Sequence, residues 1–209
     1  MKPYKGILIT IVVIFVLLFL LGPYFIVEEG EQAIVIRFGK MIRTETETGL
    51  KIRMPLVDQV RYYPKKIQSL DGDAKLYPTK ENRYIRVDIT ARWKIQDPRL
   101  FYERIGDMAS AHMSLDEEIS AIARSVIAAH SLREVVRNSN LINEIKRKDV
   151  SPNYEPIKKG RVKLSAEMLK AAATITREYG ITLIDVGIRQ ITFSHAITRK
   201  AYQQMIKAD

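Results

Sequence analysis

The stretch from Ile85 to Ile95, IRVDITARWKI, decides the fold class of this 209-residue chain. Apolar and polar residues alternate through all eleven positions, which is the period of a β-strand with one buried face. Strands of parallel sheets are buried on both faces, so a strand with one charged face favours an antiparallel sheet over a doubly wound parallel one. The residues predicted to face the core are Ile85, Val87, Ile89, Ala91, Trp93 and Ile95.

Two shorter alternating segments precede this strand. The first, Gln32 to Phe38, is predicted to end at Gly39 and to turn Ile34, Ile36 and Phe38 inward. The second, Gly49 to Pro55, is predicted to turn Leu50, Ile52 and Met54 inward, and Val60 to Leu70 forms a third extended stretch. The first half of the chain is therefore predicted to be rich in β-structure.

Helix signals begin where this β-rich part ends. Asp97-Pro98 predicts the end of the sheet and the start of a short helix, Arg99 to Ile105. Ser114 to Glu117 has the pattern of a capping box that opens a second helix, and Ser131 to Glu134 repeats it. The second helix is predicted to bury Leu115, Ile119, Ile122, Val126 and Ile127.

The C-terminal third contains a polar interruption between two regular elements. Residues 138–163 are basic and carry two prolines, which predicts a loop or insertion. Leu164 to Tyr179 is predicted to be a helix that stops at Gly180, Ile181 to Ile191 a strand, and Ser194 the cap of a last helix. Sheet, helices and a closing strand together predict an α+β fold with two subdomains.

The N-terminus is strongly apolar. From Ile7 to Leu21 every residue except Thr10 is Ile, Leu, Val or Phe. With residues 22–27 added, the run reaches roughly 20 residues, enough to cross a ~30 Å hydrocarbon core. A cleaved signal peptide is the alternative, but the bulky residues after the run do not suit a small-residue cleavage site. We therefore predict an uncleaved membrane anchor with its ends at Ile7 and Val27.

The orientation of this anchor follows only weakly from charge. Lys2 and Lys5 precede the run, whereas Arg37, Lys40 and Arg43 follow it within twenty residues. A tail of five residues is simplest to leave in the cytoplasm, with the rest of the chain exported.

The net charge of +10 fits either a nucleic-acid or an anionic-membrane partner. The basic clusters at 146–148 and 158–163 lack the interleaved aromatic residues that stack on bases, which favours a solvated basic surface over nucleic-acid binding. The chain has no cysteine, which excludes disulfides and thiol catalysis.

No pattern of catalytic residues stands out. His112, His130 and His195 lack a metal-ligand partner three or four residues away. Residues 71–73 are predicted to be a turn rather than a calcium loop, and the glutamates of residues 28–31 an acidic linker beside the bilayer. We therefore predict no catalytic, cofactor-binding or metal-binding residues and no enzymatic activity.

Several short motifs, in order and spacing, resemble the SPFH (band 7) domain between Ile26 and Met205. They are Glu28 to Glu31, Arg37 to Lys40, Gly49-Leu50 with Pro55, Thr79 to Glu81, Val87-Asp88, Trp93 to Ile95 with Asp97-Pro98, Tyr179 to Ile181, Asp185-Val186, Ile188 and Ile191. The resemblance implies a transmembrane helix followed by an antiparallel-sheet subdomain and a helix-rich α/β subdomain. The expected limits are 1–5 for an N-terminal tail, 6–27 for the transmembrane helix, 28–97 and 98–193 for the two subdomains, 138–163 for a basic insertion, and 194–209 for the start of a C-terminal helix.

Within this family, the insertion and the anchor most resemble the HflC group of protease modulators. The resemblance implies a scaffold without enzymatic activity that assembles laterally with an HflK-like partner around a membrane-anchored AAA+ metalloprotease, in membrane protein quality control. It also implies a bacterial inner-membrane protein with one span, a cytoplasmic N-terminus and a periplasmic domain, which has no nucleic-acid partner. A stomatin-like organiser of lipid microdomains, acting through anionic lipids or another membrane partner, is the alternative. In these proteins the last helix continues into a long coiled coil that builds the wall of a membrane-bound cage. A chain that ends at Asp209 is therefore expected to be a truncated form or to lack that wall.

Overall fold

The computed structural model describes residues 4–20, 22–141 and 155–193, which form five helices and nine strands. The helices are α1 (Tyr4–Leu20), α2 (Pro98–Arg104), α3 (Met108–Ala129), α4 (Leu132–Val136) and α5 (Arg161–Arg177). The strands are β1 (Tyr24–Val27), β2 (Glu31–Arg37), β3 (Lys40–Glu45), β4 (Gly49–Ile52), β5 (Asp58–Pro64), β6 (Gln68–Asp71), β7 (Lys75–Pro78), β8 (Tyr84–Ile95) and β9 (Ile181–Phe193).

Strand β8 is the centre of the largest sheet, and every pairing in that sheet is antiparallel, as predicted. Strand β9 follows β8 along one edge, while β6 and β7 pair with successive parts of the other edge. The inner face is buried beneath α3 and α5. The outer face is polar, and on it Arg92 Nε donates to Asp185 Oδ2 at 2.9 Å and Arg189 Nε to Asp88 Oδ2 at 2.8 Å.

Strand β2 is the centre of a smaller antiparallel sheet with the order β3-β2-β5. Both of its faces are covered, because β1 and β4 form a two-stranded ribbon against one face and the main core covers the other. Ile34 and Ile36 therefore enter the main core, as predicted. The ribbon side is closed by Phe25, Val27, Ala33 and Val35.

The two sheets meet where β8 ends and α2 begins. Asp97 caps α2, because its Oδ1 accepts the N–H groups of Arg99 and Leu100 at 2.9 and 3.2 Å. The start of α2 at Pro98 confirms the predicted helix signal. Tyr63 of β5 packs edge-to-face on Phe101 with ring centroids 5.0 Å apart, which joins the smaller sheet to α2.

Several predicted boundaries differ from the structure. Helix α3 begins at Met108 rather than near Ser114, since Asp107 provides the cap by accepting the N–H of Ser110 at 2.9 Å. The extended stretch after Val60 divides into β5 and β6. Helix α5 begins at Arg161, three residues earlier than predicted.

Helix α1 is seventeen residues long. No helix in the described part of the chain is both long and apolar enough to span a membrane. Ile7 lies in α1, but Val27, the other expected end of the anchor, lies in β1 with its side chain buried. Pro23 has no N–H to continue a helix, so the helix ends earlier than predicted.

The described ends of the predicted basic insertion are tied together. Asn140 Oδ1 accepts the N–H of Ile157 at 2.8 Å, and Asn140 Nδ2 donates to the carbonyl of Ile157 at 3.1 Å. Residues 142–154 of the insertion, the expected last helix at 194–209, Ser194 and His195 lie outside the described residues. The expected domain limits stay predictions.

Candidate membrane-facing surface

The two histidines in the described residues have structural surroundings. The ring of His112 packs edge-to-face on Trp93 with centroids 5.6 Å apart. His130 is the C-cap of α3, and its Nδ1 lies 2.7 Å from the carbonyl of Val126. Within residues 4–20, 22–141 and 155–193, no group of three or more His, Asp or Glu side chains could hold a metal ion.

Ser120 and Lys75 form a pair that the sequence did not reveal, because the two residues lie 45 positions apart. Lys75 Nζ is 2.7 Å from Ser120 Oγ and 2.6 Å from Asp116 Oδ2. A serine nucleophile needs a neighbouring base that can take its proton. Lys75 Nζ is instead held in an ion pair with the Asp116 carboxylate, and the contact therefore links β7 to α3.

Three large apolar side chains protrude from one end of the smaller sheet. Phe38 is 87% exposed, Leu56 is 83% exposed and Met54 is 55% exposed. We call these three residues the apolar tips. The expectation that Phe38 and Met54 face the core was wrong, because both lie in turns just beyond the strands whose alternation they continued.

The turns that carry the tips have backbone conformations that large side chains disfavour. Phe38 and Gly39 form the two-residue turn between β2 and β3, with φ of 48° and 77°. Positive φ at both positions is the type I′ geometry that prefers Asn-Gly. Leu56 has φ of 69°. The left-handed region costs a residue with a side chain roughly 1–2 kcal/mol, so an exposed Phe and Leu there suggest a role other than packing.

One carboxylate holds both turns. Arg37 and Asp58 are partners in the β2–β5 ladder, with Nε–Oδ1 2.7 Å and Nη2–Oδ2 3.1 Å. Asp58 Oδ2 also accepts the N–H of Met54 at 2.8 Å. The Asp58 side chain is only 3% exposed. Hydrogen bonds from Arg37, and then from Met54, lower the pKa of Asp58 below its usual value.

A second apolar surface lies on the ribbon. Tyr24 is opposite Ile52 and Ile26 is opposite Leu50, so these four exposed side chains share one face, which we call the apolar ribbon face. The prediction that Leu50 and Ile52 face inward was wrong. Phe25 and Val27 determine which face of the ribbon is buried, and they lie opposite Lys51 and Gly49.

The apolar tips lie at the end of the sheet where the connection from α1 arrives. The N–H of Arg53 donates to the carbonyl of Pro23 at 2.7 Å, and its Nε donates to the carbonyl of Gly22 at 3.4 Å. Arg53 directly precedes Met54, so the connection between α1 and β1 and the tips share one end.

The glutamates lie at the other end of the sheet. Glu31 is opposite Pro64, at the far end of the β2–β5 ladder from the Arg37–Asp58 pair. The turn of residues 28–31 is therefore directed away from the end that receives α1. The expected position of its glutamates beside the bilayer stays a prediction. The glutamates and the apolar tips therefore lie at opposite ends of the same sheet.

We expect Asp58→Asn to reduce the acid sensitivity of the fold. A carboxyl whose pKa is lower in the folded state stabilises that state above its unfolded pKa of about 4, and this stabilisation is lost as pH falls through the folded value. The unfolding free energy of the natural chain should therefore fall more steeply below about pH 4 than that of the variant. Denaturant titrations from pH 7 to 2 measure this, with Glu47→Gln at the opposite end of the sheet as the control. Parallel pH profiles for Asp58→Asn and the natural chain would contradict it.

The comparisons with known proteins agree with the motif pattern. The model of the SPFH domain / Band 7 family matches residues 25–208. "Protein HflC" of Treponema pallidum is 32% identical over 203 residues, covering 90% of this chain and 61% of the relative. "Protein HflC" of Borreliella burgdorferi is 35% identical over 211 residues, covering 97% of this chain and 65% of the relative.

A third relative carries a more specific name. "Modulator of FtsH protease HflC" of Escherichia coli K12 is 26% identical over 227 residues, covering 96% of this chain and 67% of the relative. The chain spans 61% and 65% of the length of the first two relatives. The family model covers most of the chain and the resemblance is confirmed, so this chain belongs to the SPFH domain / Band 7 family.

Proposed function

We propose that this chain is a membrane-anchored scaffold of the HflC type, without enzymatic activity, that regulates a membrane protease. The similarity to proteins named HflC, one of them a modulator of a protease, supports the regulatory role. The expected partners are an HflK-like SPFH protein and a membrane-anchored AAA+ metalloprotease. Anchoring to one plane raises the effective concentration of such partners, so weak lateral contacts suffice for assembly.

The position of the apolar tips carries this proposal. They extend from the end of the sheet that receives α1, and the side chains of α1 from Ile7 to Leu17 are themselves exposed and almost all apolar. Exposed apolar side chains in such numbers typically mark a membrane or protein contact. We propose that the segment containing α1 inserts into the bilayer and that the tips rest in the adjacent leaflet, so that the domain lies against the membrane.

The proposed setting is the bacterial inner membrane. The apolar segment crosses it once, the N-terminus is cytoplasmic and the SPFH domain is periplasmic. The acidic end of the smaller sheet then faces away from the lipid.

Co-purification tests the assembly. The full chain, tagged and extracted from membranes with a mild detergent, should retain an HflK-like protein and an AAA+ metalloprotease at a size well above that of a monomer. A similarly tagged single-span membrane protein from another family is the control. A monomer that retains neither protein would overturn the proposal.

A further inference from the structure

The charged residues of the smaller sheet are divided between its two ends. The residues that form the end with the apolar tips, 37–40 and 53–58, contain three cations and one carboxylate. The opposite end, 28–31 and 45–49, contains five glutamates and no cation, with Lys65 and Lys66 beside it. The end that carries the exposed apolar side chains is thus also the cationic one.

Two of the three cations flank the tips directly. Lys40 is exposed and follows Phe38 by two residues, while Arg53 immediately precedes Met54 and contacts the connection from α1. Arg37 lies between the two turns but is committed to Asp58. Neither Lys40 nor Arg53 forms an ion pair with any residue in the described ranges. Their charges are available to an external anion.

We propose that this end of the sheet binds the headgroups of anionic phospholipids, with Lys40 and Arg53 contacting phosphate groups while the apolar tips enter the acyl region. Apolar side chains flanked by cations complement a bilayer, because negatively charged headgroups lie above the hydrocarbon layer. The carboxylates that a negative surface would repel are grouped at the far end. The inference rests on the proposed function, in which this end faces the lipid, and it adds the chemical class of that lipid.

A single label can follow this contact, because the natural chain contains no cysteine. Leu56→Cys carries an environment-sensitive fluorophore, and the labelled full chain is reconstituted into vesicles that contain brominated acyl chains as quenchers. One set of vesicles is phosphatidylcholine alone, and the other contains about one-third phosphatidylglycerol. Quenching should be stronger in the anionic vesicles and should weaken as salt is added.

Charge variants identify the residues. Lys40→Gln should lower the ratio of membrane-inserted to exposed label about fivefold in anionic vesicles, since one cation near such a surface contributes about that factor. It should change nothing in neutral vesicles. Lys66→Gln, an exposed lysine beside the acidic end, is the matched control and should have no effect. Arg53 also donates a hydrogen bond to the connection from α1, so two variants are needed to separate its charge from that bond. Arg53→Lys keeps the charge and should not lower quenching, whereas Arg53→Gln removes the charge and should lower it.

The outcomes distinguish the two proposals. Equal quenching in neutral and anionic vesicles, unaffected by Lys40→Gln, would overturn headgroup binding and leave the membrane-facing end intact. A label that is unquenched in every vesicle would overturn both.

Discussion

Replacing Gly180 by alanine is expected to lower the free energy of unfolding by about 3–5 kcal/mol, which is among the largest effects of a single substitution. Gly180 joins α5 to β9 with φ of 70°, a conformation that disfavours any side chain. A Cβ at this position would lie 2.4 Å from the carbonyl oxygen of Asp97 and 3.0 Å from the backbone nitrogen of Phe101. Backbone atoms cannot rotate away as a flexible side chain can, so the chain itself must move.

The movement would break the junction of the two sheets. The carbonyl of Gly180 accepts the N–H groups of Gln96 and Asp97 at 2.9 and 3.0 Å, and Asp97 in turn caps α2. Any shift that relieves the contact therefore disturbs the end of β8, the start of β9 and the start of α2 together.

Gly39→Ala is the matched control for this substitution. Its φ of 77° is similar, but no atom lies within 4 Å of a Cβ placed there. It should therefore cost only the conformational penalty of roughly 1–2 kcal/mol. Denaturant titrations of both variants measure the difference, which isolates the steric part. Equal losses would mean that the junction adapts and that backbone conformation alone accounts for the effect.

The elements that sequence predicted well are those in which local pattern and burial agree. Strand β8 buries every apolar residue from Ile85 to Ile95 because α3 and α5 cover that face, and on the other face only Asp88 is buried. Asp97-Pro98 and Gly180 mark element ends through local chemistry that needs no tertiary partner. In contrast, the pattern at Ser114 resembled a cap, although Asp107 starts the helix two turns earlier.

The candidate surface was largely missed for a physical reason. Alternation shows which residues share a face, but not which face is covered. Leu50, Ile52 and Met54 do share a periodicity, yet Phe25 and Val27 occupy the covered face of the ribbon instead. The Arg37–Asp58 pair joins residues 21 positions apart, and only the pairing of β2 with β5 brings them together. The signal that was available was the apolar character of Phe38 and Leu56 in turn positions, where polar residues or glycine are usual.

Replacing both Phe38 and Leu56 by asparagine is expected to leave the fold as stable as before, or more stable by about 1–2 kcal/mol, while removing its contact with the membrane. Asparagine adopts positive φ more readily than phenylalanine or leucine, and Asn-Gly is the favoured sequence of a type I′ turn. This chain already places an asparagine, Asn82, at φ of 61°. The natural residues at the two tips therefore act against the local backbone preference.

The loss of membrane contact should be large. Full burial of a leucine or phenylalanine side chain contributes about 1.5–3 kcal/mol, so losing even half of that at both tips lowers the inserted population at least tenfold. A fluorophore at Met54→Cys, in the full chain and in vesicles with brominated lipids, reports that population. Met113→Asn is the matched control, because Met113 is 68% exposed on α3, away from this end of the sheet.

Stability and quenching together decide what the tips do. If their function is to contact lipid, the double asparagine variant should match or exceed the natural chain in unfolding free energy and lose most of its quenching, while Met113→Asn changes neither. If the tips instead support the fold, the same variant should be less stable and its quenching should equal that of the natural chain. Phe38 and Leu56 keep a strained backbone conformation although asparagine, as at Asn82, adopts it more readily. The first outcome explains this more simply, because an interaction outside the domain can compensate for strain that nothing inside the domain relieves.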